Sequence, residues 1–215
     1  MSDTGIEKRP VEADDDNAKR RQIVEGARGV FLSRGFDAAS MADIAKAAGV
    51  SKGTLYVYFK DKDELFAEIV HDECAMQAEG VFDFDHADHD VEAMLLGHGA
   101  AFVRNLSDQR RLSSLRTVIA IAERMPDLGR RIYETGPAVG IAKLADYLRA
   151  QVDAGVLAID DCELAAAQFI ETCHATILKP MLFNFAPPPT PERIAHVVGT
   201  AVLMFLAAYK ASDQK

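Results

Sequence analysis

The sequence predicts an all-α chain of about nine helices, three in a small N-terminal head and the remainder in a larger helical bundle. Three observations carry this prediction. Apolar residues recur every three to four positions from Ile23 through Tyr209. The eight prolines and fourteen glycines fall mostly between these periodic stretches. Alternating apolar–polar runs joined by hairpin turns do not occur. With 215 residues and 49% hydrophobic content, the chain is large enough for one or two domains with substantial cores.

The elements follow in chain order. Residues 1–16 read as a disordered, acidic N-terminal arm. A first helix is expected from Asn17 to Arg34, with Ile23, Ala27, Val30 and Phe31 as its core stripe and Gly35 at its end. Ser40 is a good N-cap for a short second helix whose Met41, Ile44, Ala45 and Ala48 recur at helical spacing. Ala45 is expected where two helices nearly touch. Gly49 suits the left-handed backbone of a helix exit, Val50 plugs the turn, and Ser51 caps a third helix from Lys52. Leu55 and Phe59 form the buried edge of that helix, leaving Lys52, Gly53, Thr54, Tyr56 and Tyr58 outward. A short helix, a tight glycine turn and a polar-aromatic helix place one helix in a DNA major groove. Lys60 and Lys62 can neutralise phosphates on its flank. The helix-turn-helix head is thus 17–62, followed by a body over 63–215.

Asp61 and Glu64 offer a capping box for a fourth helix, whose Leu65, Phe66, Ile69 and Val70 continue the apolar face. Phe82 to Asp90, FDFDHADHD, reads as a polar connector. Further helices are expected from Val91 to Leu106, Arg110 to Arg124, Leu128 to Ala154 with a break at Gly136-Pro137, Asp160 or Asp161 to about Phe185, and Glu192 to Lys210. The final helix is apolar on more than one face. Its run from Ile194 to Tyr209 is short for a membrane span of ~20 residues and contains His196. A buried or dimer-forming helix is the better reading, with no membrane role.

Ile23 to Lys62 resembles the N-terminal domain of the TetR/AcrR family of bacterial transcription regulators. The resemblance is carried by Ile23, Ala27, Phe31, Gly35, Phe36, Ile44, Ala45, Gly49, Val50, Ser51, Thr54, Leu55, Tyr56, Phe59 and Lys62, and it continues through Leu65 and Phe66. Residues 126–157 are similar to the sensor type grouped with AefR-like repressors. The resemblance implies DNA contacts from Thr54, Tyr56, Tyr58 and Lys62, and backbone contacts from Ser40 and Met41 at the start of the second helix. Ala42 departs from the pattern, since some relatives carry a polar base reader there. The resemblance also implies a four-helix homodimer interface from about 162–182 and 192–210, with Ile194, Val198, Ala201, Val202 and Phe205 as expected contacts.

The charge distribution agrees with a DNA-facing head. The net charge is −9, but residues 1–16 carry −4, residues 17–62 carry +5 and residues 63–215 carry −10. A basic head on an acidic body orients a molecule toward phosphate while limiting non-specific adhesion.

A small-molecule effector is expected in the body. Met94, His98, Phe102, Met125, Phe169, Cys173, His174 and Ile177 combine methionine, aromatic and a few polar groups, a set suited to a mainly apolar or aromatic ligand. The histidines and aspartates of 83–90 have a composition that could bind a divalent metal, but connectors of this kind more often cap the next helix; no metal or cofactor is expected. Cys173-His174 is poorly placed for proton transfer, because adjacent helical residues diverge by about 100°. Cys74, Cys162 and Cys173 are too widely spaced and odd in number for a disulfide framework. No catalytic carboxylate pair, phosphate loop or metal triad is recognisable, so no enzyme is expected. The N-terminus lacks an apolar signal region, which points to the cytoplasm. The expected function is a ligand-responsive homodimeric repressor on a pseudo-palindromic double-stranded operator. The alternatives are an activator of the same fold, or a metal- or redox-sensing regulator.

Overall fold

The computed structural model describes residues 11–211, with side chains described over 16–70 and 81–211. Eleven helical segments occur among these residues, and no strand does. They are α1 (Val11–Arg34), α2 (Met41–Ala48), α3 (Lys52–Tyr58), α4 (Lys62–Val81), α5 (Val91–Leu106), α6 (Gln109–Ile121), α7 (Pro126–Thr135), α8 (Pro137–Asp153), α9 (Cys162–Cys173), α10 (Leu178–Leu182) and α11 (Pro191–Tyr209). The chain divides into two compact units between Val70 and His71, within α4 rather than before it.

In the N-terminal unit, Ile23, Ala27, Ile44, Leu55, Phe59 and Leu65 are almost wholly buried. Phe31, Phe36 and Phe66 form an aromatic triangle with centroids 5.2–5.6 Å apart. Edge-to-face pairs of this sort add to simple area burial. α1 begins at Val11, six residues before the expected start. Residues 11–16 are therefore helical rather than part of a disordered arm, while residues 1–10 lie outside the described residues. Ala45 is buried, and Gly26 on α1 packs tightly against α2 as well: a Cβ there would meet Ala48 at 2.7 Å.

In the second unit, Leu95 and Val103 of α5, Leu144, Tyr147 and Leu148 of α8, Phe169 and Cys173 of α9, and Val198, Val202 and Phe205 of α11 share one core. The break at Gly136-Pro137 is where the sequence placed it, and Gly155, with φ +74°, stops the chain after α8.

The expected helix from Asp160 or Asp161 to Phe185 is instead two helices. It starts as expected, with Asp161 capping Leu164 N, but ends at Cys173. Thr176 takes φ +65°, and α10 begins two residues later. Pro180 supplies the reason: in a continuous helix its ring would strike the carbonyl of Thr176, whereas in the first turn of α10 it is tolerated.

The connector 82–90 is more than a solvated loop. Asp90 caps α5 as expected, but Phe84 stacks on Tyr147 at 5.3 Å and lies 4.4 Å from His98. Gln151, fully buried, donates to the carbonyls of His86 and Asp88 and accepts from His89 Nδ1 at 2.7 Å. Tyr147 donates to the same Asp88 carbonyl, and burial beside Asp88 pushes its phenol up to about 12. These groups are spent on holding the connector, and no cluster of three metal-ligating side chains occurs among the described residues.

Candidate nucleic-acid interface

The caps of α2 and α3 set the reader's geometry. Ser40 Oγ accepts from Asp43 N, and Asp43 in turn pairs with Arg34 at 2.7 Å. The Ser40 hydroxyl, with Arg34 adding to it, holds the Asp43 carboxyl below its usual range. Gly49 adopts φ +65° and its N–H bonds to α2 carbonyls, so the chain reverses without strain. Ser51 Oγ then accepts from Thr54 N and exchanges a second hydrogen bond with the Thr54 hydroxyl at 2.8 Å. Gln22 donates to the Ala48 carbonyl at 2.6 Å, and Arg20 lies over the Phe59 ring while pairing with Glu68. The helix pair is thereby fastened to α1 and α4 from both sides.

What remains outward on α3 is Lys52, Gly53, Tyr56, Val57 and the partly exposed Thr54 and Tyr58, with Lys60 just beyond. Ser40 is exposed and Met41 half-buried at the start of α2. The predicted residues thus share one surface around α3, with two exceptions in role. Lys62 Nζ donates to the carbonyls of Phe36, Asp37 and Ala39 and sits 4.6 Å from the Phe36 ring. Its ammonium closes the exit of α1 rather than standing free for phosphate. Tyr58 donates its hydroxyl to Asp16 Oδ1 at 2.6 Å. Val57, 81% exposed, escaped the sequence reading. Its signal was there: an apolar residue lying between Leu55 and Phe59 off the buried edge of the helix.

Gly53 is informative for what it lacks. A Cβ built on it would only reach the Ser51 hydroxyl, at an ordinary 3.7 Å, and its φ is not left-handed. The fold does not require glycine at this position.

Sequence comparison matches residues 23–69 to the bacterial regulatory proteins of the TetR family and residues 93–211 to the C-terminal domain of AefR-like transcriptional repressors. The chain belongs to the TetR family. It is therefore one of a family of DNA-binding, non-enzymatic transcription regulators.

Among relatives, it is 38% identical over 61 residues to the repressor Rv1474c of Mycobacterium tuberculosis, covering 28% of this chain and 33% of that one. It is 46% identical over 50 residues to the regulator AcrR of Shigella flexneri, 23% of each chain. The chain thus spans a third or less of the length of these relatives. Solved structures match far more. A TetR-family regulator of Mesorhizobium loti superposes with a TM-score of 0.83 at 29% identity, covering 90% of this chain and 98% of that one. The flavonoid-responsive regulator FrrA follows with a TM-score of 0.76 and 30% identity over the same shares.

The expected effector residues of this TetR-family chain separate into two groups. Phe169, Cys173 and Ile177 are buried in the close packing of α5, α9 and α11. A Cβ on Gly99 would meet Val198 at 2.8 Å, Cys173 Sγ at 3.2 Å and Phe169 at 3.6 Å, so Cys173 and Phe169 sit at the crossing of α5 with α9 and α11. Burial pushes the Cys173 thiol up to about 12, which removes thiolate reactivity.

Phe102, by contrast, lines a small, mainly apolar cleft with Val81, Phe82, Asn105 and Leu106. His98 donates from Nδ1 to the Val81 carbonyl at 2.7 Å, and His174 lies 6.0 Å from Phe102. Burial lowers the His174 ring below its usual value, with Glu171 at 3.6 Å acting in the opposite sense. Met94 is half-buried on α5 and Met125 stands at the N-terminal end of α7.

The five expected dimer contacts require correction. Ile194, Val198, Ala201, Val202 and Phe205 are all 6% exposed or less and pack inside the protomer against α5 and α9. The outward face of α11 carries His196, Thr200, Leu203, Met204 and Ala207 instead. α11 is long and apolar enough for a membrane span by composition alone, but its buried stripe is that of a core helix.

Proposed function

We propose that this chain is a homodimeric transcriptional repressor that binds a pseudo-palindromic operator and is released by a mainly apolar or aromatic small molecule. The observation that carries the reading is Gly53. Gly53 is the second residue of α3, where glycine still adds unfolded-state entropy relative to alanine, and nothing in the protomer demands it. Close approach of α3 to a groove floor supplies the missing reason. Around it, Lys52 and Thr54 address base edges, Val57 offers an apolar contact for a thymine methyl, and Tyr56, Tyr58 and Lys60 address phosphates, with Ser40 and Met41 flanking. Two heads would occupy successive major grooves about 34–36 Å apart. The repressor names of the relatives favour repression over activation. The cytoplasm is the compartment in which such a regulator meets its operator.

The effector reading starts from the apolar lining at Phe102 and Phe82, with His98 and His174 nearby. The cleft there, about 10 Å³, has room for about one water, so an effector must widen it. The similarity to a flavonoid-responsive regulator points to an aromatic class. An effector acts only by binding the free and DNA-bound states with different affinity. Electrophoretic shift with duplexes from the gene's own promoter region tests the proposal. A shifted complex that dissolves on adding a binding aromatic ligand is expected. Absence of any shift in dilute buffer, or a shift unmoved by every ligand that binds, overturns it.

A further inference from the structure

In its second turn, α1 carries a feature that DNA binding alone does not call for. Asp16 Oδ1 accepts the Tyr58 hydroxyl at 2.6 Å, across 42 residues of sequence and at an exposed position. Tyr58 lies on α3, and its hydroxyl is one of the donors that the reading above directs at a phosphate oxygen. A carboxylate presents the same anionic acceptor as that phosphate. The contact is held in place from below: Arg20, one turn further along α1, is clamped between the Phe59 ring and Glu68, and Gln22 is bonded to the Ala48 carbonyl. Asp16 also stands at the end of an acidic run, since residues 1–16 carry a net −4 while residues 17–62 carry +5.

We propose that Asp16 is an intramolecular competitor for the DNA backbone, occupying the Tyr58 hydroxyl in free protein and yielding it to phosphate on docking. The inference rests on the DNA-binding reading. Docking then exchanges one anion for another at the tyrosine and brings a fixed negative charge against the duplex. The penalty is electrostatic and independent of base sequence, so it lowers occupancy of bulk DNA and operator alike. Like charges about 4 Å apart in water weaken association by roughly five-fold. One carboxylate facing the backbone also reduces the effective count of neutralised phosphates by about one.

The test is fluorescence anisotropy of the full chain with a labelled promoter duplex and a random duplex, across a series of KCl concentrations. Four proteins are compared: wild type, Asp16→Asn, Asp16→Ala and Tyr58→Phe. Asp16→Asn keeps an oxygen that accepts from Tyr58 and removes only the charge. It should tighten binding to both duplexes by roughly three- to ten-fold and steepen the slope of log K against log salt by about 0.9. Asp16→Ala should tighten binding at least as much. Tyr58→Phe should weaken both duplexes without changing the slope.

If Asp16 instead positions Tyr58 for DNA, Asp16→Ala weakens binding while Asp16→Asn changes nothing, and the proposal is overturned. Unchanged affinity and slope in both Asp16 variants overturns it as well. Failure of wild-type protein to bind either duplex at the lowest salt would reject the DNA-binding reading itself, a result distinguishable from the other two. Thermal melting of each variant confirms that the head stays folded.

Discussion

Gly53 separates what a residue does for the fold from what it does for the function. It sits on a seven-residue helix, α3, where a Cβ would make only an ordinary contact with the Ser51 hydroxyl. Gly53→Ala should therefore stabilise the head, by about 0.5–1 kcal/mol from reduced unfolded-state entropy and better helix propensity. The same methyl should weaken operator binding ten-fold or more by holding the helix off the groove. Denaturant melting and anisotropy on one preparation read both effects; a variant that binds as well as wild type removes Gly53 from the interface.

The caps around this residue were legible in the sequence because each acts within three or four positions: Ser40 on Asp43, Ser51 on Thr54, Gly49 on the turn it closes. The partners of Lys62 and Tyr58 were not, since they lie 26 and 42 residues away and only the fold brings them near.

His174 carries a residue-scale prediction of a different kind. Burial lowers its folded value below the usual ~6.5, so the unfolded chain takes up the proton first. Its contribution to stability is complete above that ordinary value and is lost as pH falls through the depressed one. Chemical denaturation at pH 7.5 and 5.5 should show a smaller acid loss in His174→Gln than in wild type. Equal losses would mean the ring is solvated in solution.

At the scale of elements, helix positions were readable and helix contacts were not. Periodicity, with Gly136-Pro137 and Pro126 as punctuation, placed α5, α7, α8 and α11 within a few residues of their observed ends. The break between α9 and α10 was marked by Pro180, whose steric demand falls four residues upstream, at Thr176.

The helix crossing in the head was marked by a glycine that looks interchangeable with its neighbour. Gly26 and Gly29 both lie inside α1, yet a Cβ on Gly26 would strike Ala48 backbone at 2.7 Å, whereas one on Gly29 meets nothing within 4 Å. The two alanine variants should move stability in opposite directions. Gly29→Ala should gain about 0.5–1 kcal/mol. Gly26→Ala should lose about 1–2 kcal/mol, the cost of overpacking less the same helix gain. Shifts of the denaturation midpoint in the same direction would show that α1 and α2 do not cross at Gly26 in solution.

For the whole molecule, the question is how α11 can be apolar nearly all round. The sequence showed that this helix needs cover on more than one side, but periodicity alone does not say which side meets its own chain. The structure resolves that half: Ile194, Val198, Ala201, Val202 and Phe205 face inward, so they belong to the protomer's stability. Leu203 and Met204 remain 68% and 59% exposed, with Leu164 of the adjoining α9 at 53% and open space over Gly199. Several exposed apolar side chains close together on one face suit an association site.

If two copies meet here, charge on this face should separate them without unfolding either. Leu203→Glu with Met204→Glu should convert a species of about twice 23.4 kDa into one of 23.4 kDa by light scattering at micromolar concentration, with the helical circular dichroism retained. Phe205→Ala, one residue away but turned inward, should cost about 3–5 kcal/mol of protomer stability, whatever its effect on mass. Because an operator with two half-sites rewards a dimer, the double glutamate variant should also lose operator affinity while keeping its weak binding to random duplex. A variant that stays dimeric would place the contact elsewhere, and the exposed Phe183 and Phe185 between α10 and α11 would be the next surface to charge.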